Sequence, residues 1–373
     1  MNEDFVTQLR LQLREVALRD EHRGPVALRA VRARRNLPGP APVAGALATV
    51  LLALSVAFGV LALRGEPEPA APKVIGTYRV ASGLSSLASG FGAVWTADPI
   101  RNEVLRIDPG TRRVVARIPV GGEARVATGA GAVWAIAGDL QYGGDQGPIR
   151  LLRIDPDTDR VVARIPMRTP AGARFAPVDL QIDGDTVWAI GIDGALRIDP
   201  RTNLPDRYLP LAGKRGDPRG IVIEGAHVWV LTAAGRLRLY DVRDGRPAGE
   251  VRVQAAPPLY LFGGPRGTLT LLLAKNEIAL VERASGRELW RATLGDDMGW
   301  LHYHEGLLWA QVADSPTSSA SRPAARDLLV RLDADSGRSR GQVRLPEAGV
   351  AGMTDVGREL WIATPSGTMI VVR

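Results

Sequence analysis

Ala93–Val120 reads AVWTADPIRNEVLRIDPGTRRVVARIPV, and the fold follows from how this stretch is built and how often it returns. Ala93-Val94-Trp95-Thr96-Ala97 is a short run of strand-favouring residues. Asp98-Pro99 interrupts it, and Val104-Leu105-Arg106-Ile107 forms a second run. Asp108-Pro109-Gly110-Thr111 has the composition of a type I turn, with an Asp to bond the backbone and a Pro preset at the next position. Val114 to Val120 completes the unit, so the stretch is three strands joined by two turns.

Aligned on the tryptophan, the unit recurs at Trp134, Trp188, Trp229, Trp309 and Trp361, and a degraded copy carries Thr270 in that slot. From Trp95 onward the spacings are 39, 54, 41, 41, 39 and 52 residues, and the two long ones contain the loop-like insertions Ala137–Pro148 and Asp314–Asp327. The turn recurs too, as Asp155-Pro156-Asp157-Thr158 and Asp199-Pro200-Arg201-Thr202, with weaker echoes ending in Gly245, Gly286 and Gly337. A period of about 40 residues with strand-turn-strand content marks a propeller blade. The seventh copy ends at Arg373 without its last strand, whereas Val74–Val80 looks like Val114–Val120 and stands ahead of the first tryptophan. The expected fold is therefore all-β: a seven-bladed β-propeller over 74–373, closed by its N-terminal strand. An open solenoid or a pair of sandwiches is the competing reading.

The wording of Ala93–Gly121 resembles the YVTN-type β-propeller repeat, in which a VWVAN-like strand leads to an IDP-T turn and a VVATIPVG-like strand. More distantly, Trp95-Thr96-Ala97-Asp98 and Asn102–Asp108 resemble virginiamycin B (streptogramin) lyase, another seven-bladed propeller. The resemblance implies the fold. For the lyase it also implies a His general base, with Glu and His near a magnesium ion. In this chain only His227 and Glu305 are loose counterparts of those residues.

Ahead of the repeats the chain is of another kind. Residues 1–36 have a helical stripe at Phe5, Leu9, Leu13 and Val16, and end in a cluster of Arg29, Arg32, Arg34 and Arg35. Ala41–Leu63 then runs 23 residues without a charge, long enough to cross a bilayer. The basic flank on its N-terminal side places 1–36 in the cytoplasm and the propeller outside, in the periplasm or extracellular space. The Pro-rich 64–73 reads as a spacer. A cleavable signal peptide is the rival, but its apolar core is shorter and its leader briefer.

Composition narrows function mainly by exclusion. There is no cysteine, so disulfides and thiolate chemistry are absent. The net charge is +7, yet 44 of the 47 basic residues are Arg, spread over every repeat rather than gathered in one patch, and nucleic-acid binding is not expected. The sequence holds no phosphate-cradling Gly loop and no Gly-x-Ser-x-Gly elbow. No catalytic set stands out, and no cofactor is expected. The recurring tryptophans are read as packing between sheets.

Propeller ligands bind at the mouth of the central channel, in the segments leading into each innermost strand. Counting nine residues back from each tryptophan slot gives Ser86, Arg125, Asp179, Gly220, Leu261, Trp300 and Gly352. Arg125, Arg174, Asp179, Arg219, Trp300 and His302 are the candidate ligand-binding residues. His302 and His304 share one strand face, and with Glu305 they are weak candidates for a metal site. The expected function is a membrane-anchored binding or scaffold module for a protein or a cell-envelope ligand. The alternatives are a lyase-like propeller enzyme and a transmembrane sensor signalling to the N-terminal helix.

Overall fold

The computed structural model describes residues 70–140, 148–191, 193–211, 220–232, 234–253, 258–265, 267–273, 277–295, 297–313 and 327–373. Among them, seven four-stranded antiparallel sheets follow one another along the chain, so the fold is a seven-bladed propeller. Ala71–Arg373 is one compact unit. The tail, Ala41–Leu63 and all but the end of the spacer lie outside the described residues. Among the described residues no helix is long and apolar enough to cross a membrane.

Blade 1 shows the plan. Its inner strand is Leu87–Gly90, followed by Ala93–Asp98, Glu103–Asp108 and the outer Arg113–Pro119. The three-strand unit is thus preceded by a fourth strand, short and without polar alternation. In blade 7 the order from the channel outward is Gly352–Val356, Glu359–Ala363, Thr368–Val372 and then Val74–Arg79. The N-terminal strand pairs with the C-terminal one as expected, from Val74 opposite Val372 to Arg79 opposite Thr368. Beyond the ladder, Lys73 and Arg373 exchange both backbone hydrogen bonds, at 2.9 and 3.0 Å.

The tryptophan slot lies on the second strand and faces the next blade. Trp95 packs with Val126 and Val133, Trp134 with Leu180 and Val187, and Trp361 with Val94 and Leu105 of blade 1. Trp95, Trp134 and Trp361 are fully buried, and truncating a side chain of this size in such a site costs about 3–5 kcal/mol. Blade 5 keeps the interface by other means. Thr270 bonds the Tyr303 hydroxyl of blade 6 at 2.7 Å, while Trp290 on the outer strand of blade 5 buries itself against Leu308 and Leu332 and donates to the Ala334 carbonyl.

The turns explain the Asp-Pro-x-Thr wording. In each, the fifth residue turns left-handed and its N–H returns to the carbonyl of the first, as Arg112 does to Asp108 and Gly245 to Asp241. Hydrogen bonds hold these carboxyls below the usual carboxylate range, from Thr111 on Asp108 and from the Asp157 N–H on Asp155. The same turns join blades. The Arg106 guanidinium lies 5.5 Å over the Trp95 ring and reaches Pro156 O and Asp159 of blade 2, and Arg153 over Trp134 reaches Pro200 O and Asn203 of blade 3.

Candidate functional site: the channel mouth

Both faces of each blade are covered by neighbours, so an inner-strand side chain that meets water does so at the channel. Inner strands are compared by height through their partner on the second strand. Two residues beyond the tryptophan, towards the end where the chain enters each blade, Arg125 pairs with Ile136, Asp179 with Ile190, Gly220 with Leu231 and Gly352 with Ala363. Tyr260 pairs with Leu272 at the same height, and Trp300 stands opposite Gln311. Ser86 ends the loop before the inner strand of blade 1, where its hydroxyl accepts from Val126 N of blade 2.

Blade by blade, this ring reads serine, arginine, aspartate, glycine, tyrosine, tryptophan, glycine. Tyr260 is 54% and Trp300 41% exposed, while no slot tryptophan exceeds 7%. Arg125 and Asp179 are exposed as well. Asp179 touches water, but protein surrounds it on most sides. That desolvation pushes its carboxyl above the usual range, against the opposing pull of the Leu180 N–H and the Arg125 charge.

Three of these positions sit at breaks in the ladder. The register slips at Val178 before Asp179, at Leu259 before Tyr260, and across Gly299-Trp300. The inner strands of blades 1, 2, 4 and 7 pair without a slip. A bulge leaves residues unpaired and re-aims side chains. In blade 6 it is braced from behind. The buried Gln311 accepts from Trp300 N at 3.2 Å and donates to the buried Asp327, which accepts from Gly349 N at 2.8 Å. Asp327, read from sequence as the end of a loop, is part of this brace.

A longer hairpin turn in blade 5 accounts for what sequence counting missed. Nine residues back from Thr270 falls on Leu261, a core residue that is 6% exposed; Thr270 pairs with Phe262, eight residues back where the other slots pair seven back, so the turn between them holds one more residue and Tyr260 takes that height instead. The run Gly263-Gly264-Pro265 that opens this turn was the available signal.

Other candidates are placed apart from the ring. His302 pairs with Trp309, two residues and so about 7 Å deeper. There His302 Nε2 stands 3.1 Å from Asp355 Oδ1, and His304 Nδ1 stands 3.6 Å from Asp355 Oδ2, linking blades 6 and 7. Burial lowers the His302 pKa, with Asp355 opposing the shift. Glu305 lies 3.9 Å from His304 Nε2. Among the described residues no group of three or more His, Cys, Asp or Glu is set to hold a metal ion. Asp355 was not visible in the sequence, because its pairing runs between blades. Arg174 lines a side cleft of about 200 Å³ with Arg150, Arg168 and Phe175. Arg219 lies outside the described residues. His227 begins the second strand of blade 4, beside Asp241 at the far end of the ring. A larger cleft of about 540 Å³ at that far end, between blades 2 and 3, is lined by Arg153, Arg197 and Asp206, which already bond one another or the adjacent turn.

No protein-family model matches the chain. No curated protein matches it either. Among solved structures, the crystal structure of the computationally designed Ika8 protein superposes with a TM-score of 0.53 at 13% identity, over 79% of this chain and 96% of that one. A likeness at this identity shows the fold alone.

Proposed function

We propose that the chain is a binding module whose ligand sits at the channel mouth. The observation that carries this reading is the coincidence of bulges with exposed chemistry. Three of seven inner strands break register at one height, with Asp179 and Tyr260 next after their breaks and Trp300 within its own. Slips between the third and outer strands recur in all seven blades, whereas the inner-strand slips fall in three blades only, beside exposed side chains. The module is displayed outside the membrane, held by Ala41–Leu63 with 1–36 in the cytoplasm; the Arg cluster on one side of a charge-free run supports this. The repeat wording supports YVTN-type kinship. Protease added to intact cells is expected to digest the propeller and spare the Arg-rich tail. Photo-crosslinking from position 300 is expected to label a ligand that the same probe at the rim residue Val115 does not. Equal labelling from both positions sinks the mouth as the site.

The enzyme reading has one favouring observation, the His302–Asp355–His304 cluster. A carboxylate that orients an imidazole is the arrangement of a general base. Measuring metal content and ligand turnover in a His302→Ala, His304→Ala pair decides it; unchanged values remove the catalytic role.

A further inference from the structure

We infer that the mouth takes a neutral saccharide, stacked on Tyr260 and Trp300 and hydrogen-bonded along its edge by Arg125 and Asp179. The inference rests on the channel-mouth reading above and supplies its ligand class.

The ring has two unlike halves. Blades 5 and 6 are neighbours and offer two open aromatic side chains. Blades 2 and 3 are neighbours and offer an exposed guanidinium and an exposed carboxylate at the same height on adjacent inner strands. The small residues Gly220, Gly352 and Ser86 separate them. The two glycines cannot carry more. A Cβ on Gly220 would come 2.9 Å from Leu261 N, and one on Gly352 would come 2.9 Å from Leu87 N, where neighbouring inner strands meet. At this height Gly220 and Gly352 add no side chain to the space between the halves.

The charged half selects against ions. Arg125 and Asp179 carry opposite charges on neighbouring inner strands, so a phosphate or an ammonium drawn to one is repelled by the other. The pair instead supplies donors on one side and acceptors on the other. Vicinal hydroxyls need both, because each is donor and acceptor at once. The opposite half needs a ligand with an apolar face to cover exposed rings whose hydration is unfavourable. A pyranose has both, a C–H face and a hydroxyl rim. A planar heteroaromatic also stacks and can present donors and acceptors on one edge, but it lacks the hydroxyls that a pyranose carries around its whole rim. The brace of Gln311 and Asp327 holds the Trp300 backbone before any ligand arrives, which spares part of the ordering cost that weakens such contacts.

Full-length protein in nanodiscs, titrated by calorimetry with maltotetraose, cellotetraose and chitotetraose, tests the inference, with glucose 6-phosphate and adenosine as comparison ligands. At least one neutral tetrasaccharide is expected to bind, and Trp300→Ala and Tyr260→Ala are each expected to weaken it by about tenfold. Tighter binding of adenosine or the sugar phosphate overturns the ligand class, as does saccharide binding that survives both substitutions. If no tetrasaccharide binds, the saccharide falls. A ligand crosslinked from position 300 then still upholds the mouth as a site, and no specific crosslink removes that reading too.

Discussion

Blades 1 and 6 carry the same stack and spend the rest of their residues differently. In both, an arginine of the third strand lies over the slot tryptophan, Arg106 over Trp95 at 5.5 Å and Arg331 over Trp309 at 5.6 Å. In blade 1 Arg106 passes on to the turn of its neighbour, the Trp95 indole donates to Gly90 O, and the inner strand pairs without a slip. In blade 6 Arg331 bonds Arg340 O within its own sheet, the Trp309 indole nitrogen is buried without a hydrogen-bond partner, and the inner strand is bulged over Gln311. The second and third strands carry the demands of ring packing. The channel end of the inner strand is released from those demands, and there the polar and aromatic exceptions gather.

The sharpest way to break the comparison sets a slot tryptophan against the mouth tryptophan. Trp95→Ala is expected to cost about 3–5 kcal/mol in chemical unfolding, while the exposed Trp300→Ala stays within about 0.5 kcal/mol. Equal costs would mean that Trp300 is core. Next come the substitutes in blade 5. Tyr303→Phe strands the fully buried Thr270 hydroxyl and is expected to cost about 1–3 kcal/mol, largely recovered by adding Thr270→Val. Gly337→Ala forces a left-handed position at φ 68° and drives a Cβ to 2.6 Å from the Trp290 ring, for about 1–3 kcal/mol. A melt unchanged from wild type would show that Trp290 does not hold this interface.

The smallest effects are those of pH. Asp179 binds its proton more tightly folded than unfolded, so its ionisation opposes folding as pH rises through the ordinary carboxylate range towards its raised folded value. Asp179→Asn is therefore expected to raise the melting temperature at neutral pH, with the gain vanishing in acid below the unfolded value. The turn acids have the opposite sign. Asp108, Asp155, Asp199 and Asp241, the last held at about 2, favour folding above the unfolded carboxylate range, and this contribution is lost as pH falls through their lowered values. Asp108→Ala is expected to flatten the acid limb of the stability profile.

Blade number, closure and the Asp-Pro turns were legible in the sequence because each rests on local chemistry repeated at a fixed period. Trp95 and its copies mark a slot, and Asp108 marks a turn, whatever surrounds them. Inner strands such as Leu87–Gly90 were faint, since an edge packed on both faces needs no alternation. Arg125, Asp179 and Trp300 could be placed by counting from the tryptophans. Tyr260 could not, because the hairpin turn of blade 5 holds one residue more than those of the other blades and shifts the count. The replacement of a blade 5 tryptophan by Thr270, Tyr303 and Trp290 was hidden too, since three residues from two blades share one job.

The paired Lys73 and Arg373 make the start and finish of the propeller a single seam. Tension applied along the segment preceding Ala71 loads the strand Val74–Arg79 first, and that strand is the outermost layer of blade 7. Peeling it would leave a three-stranded blade and an unlocked ring, so the joint that completes the circle is also its mechanical fuse.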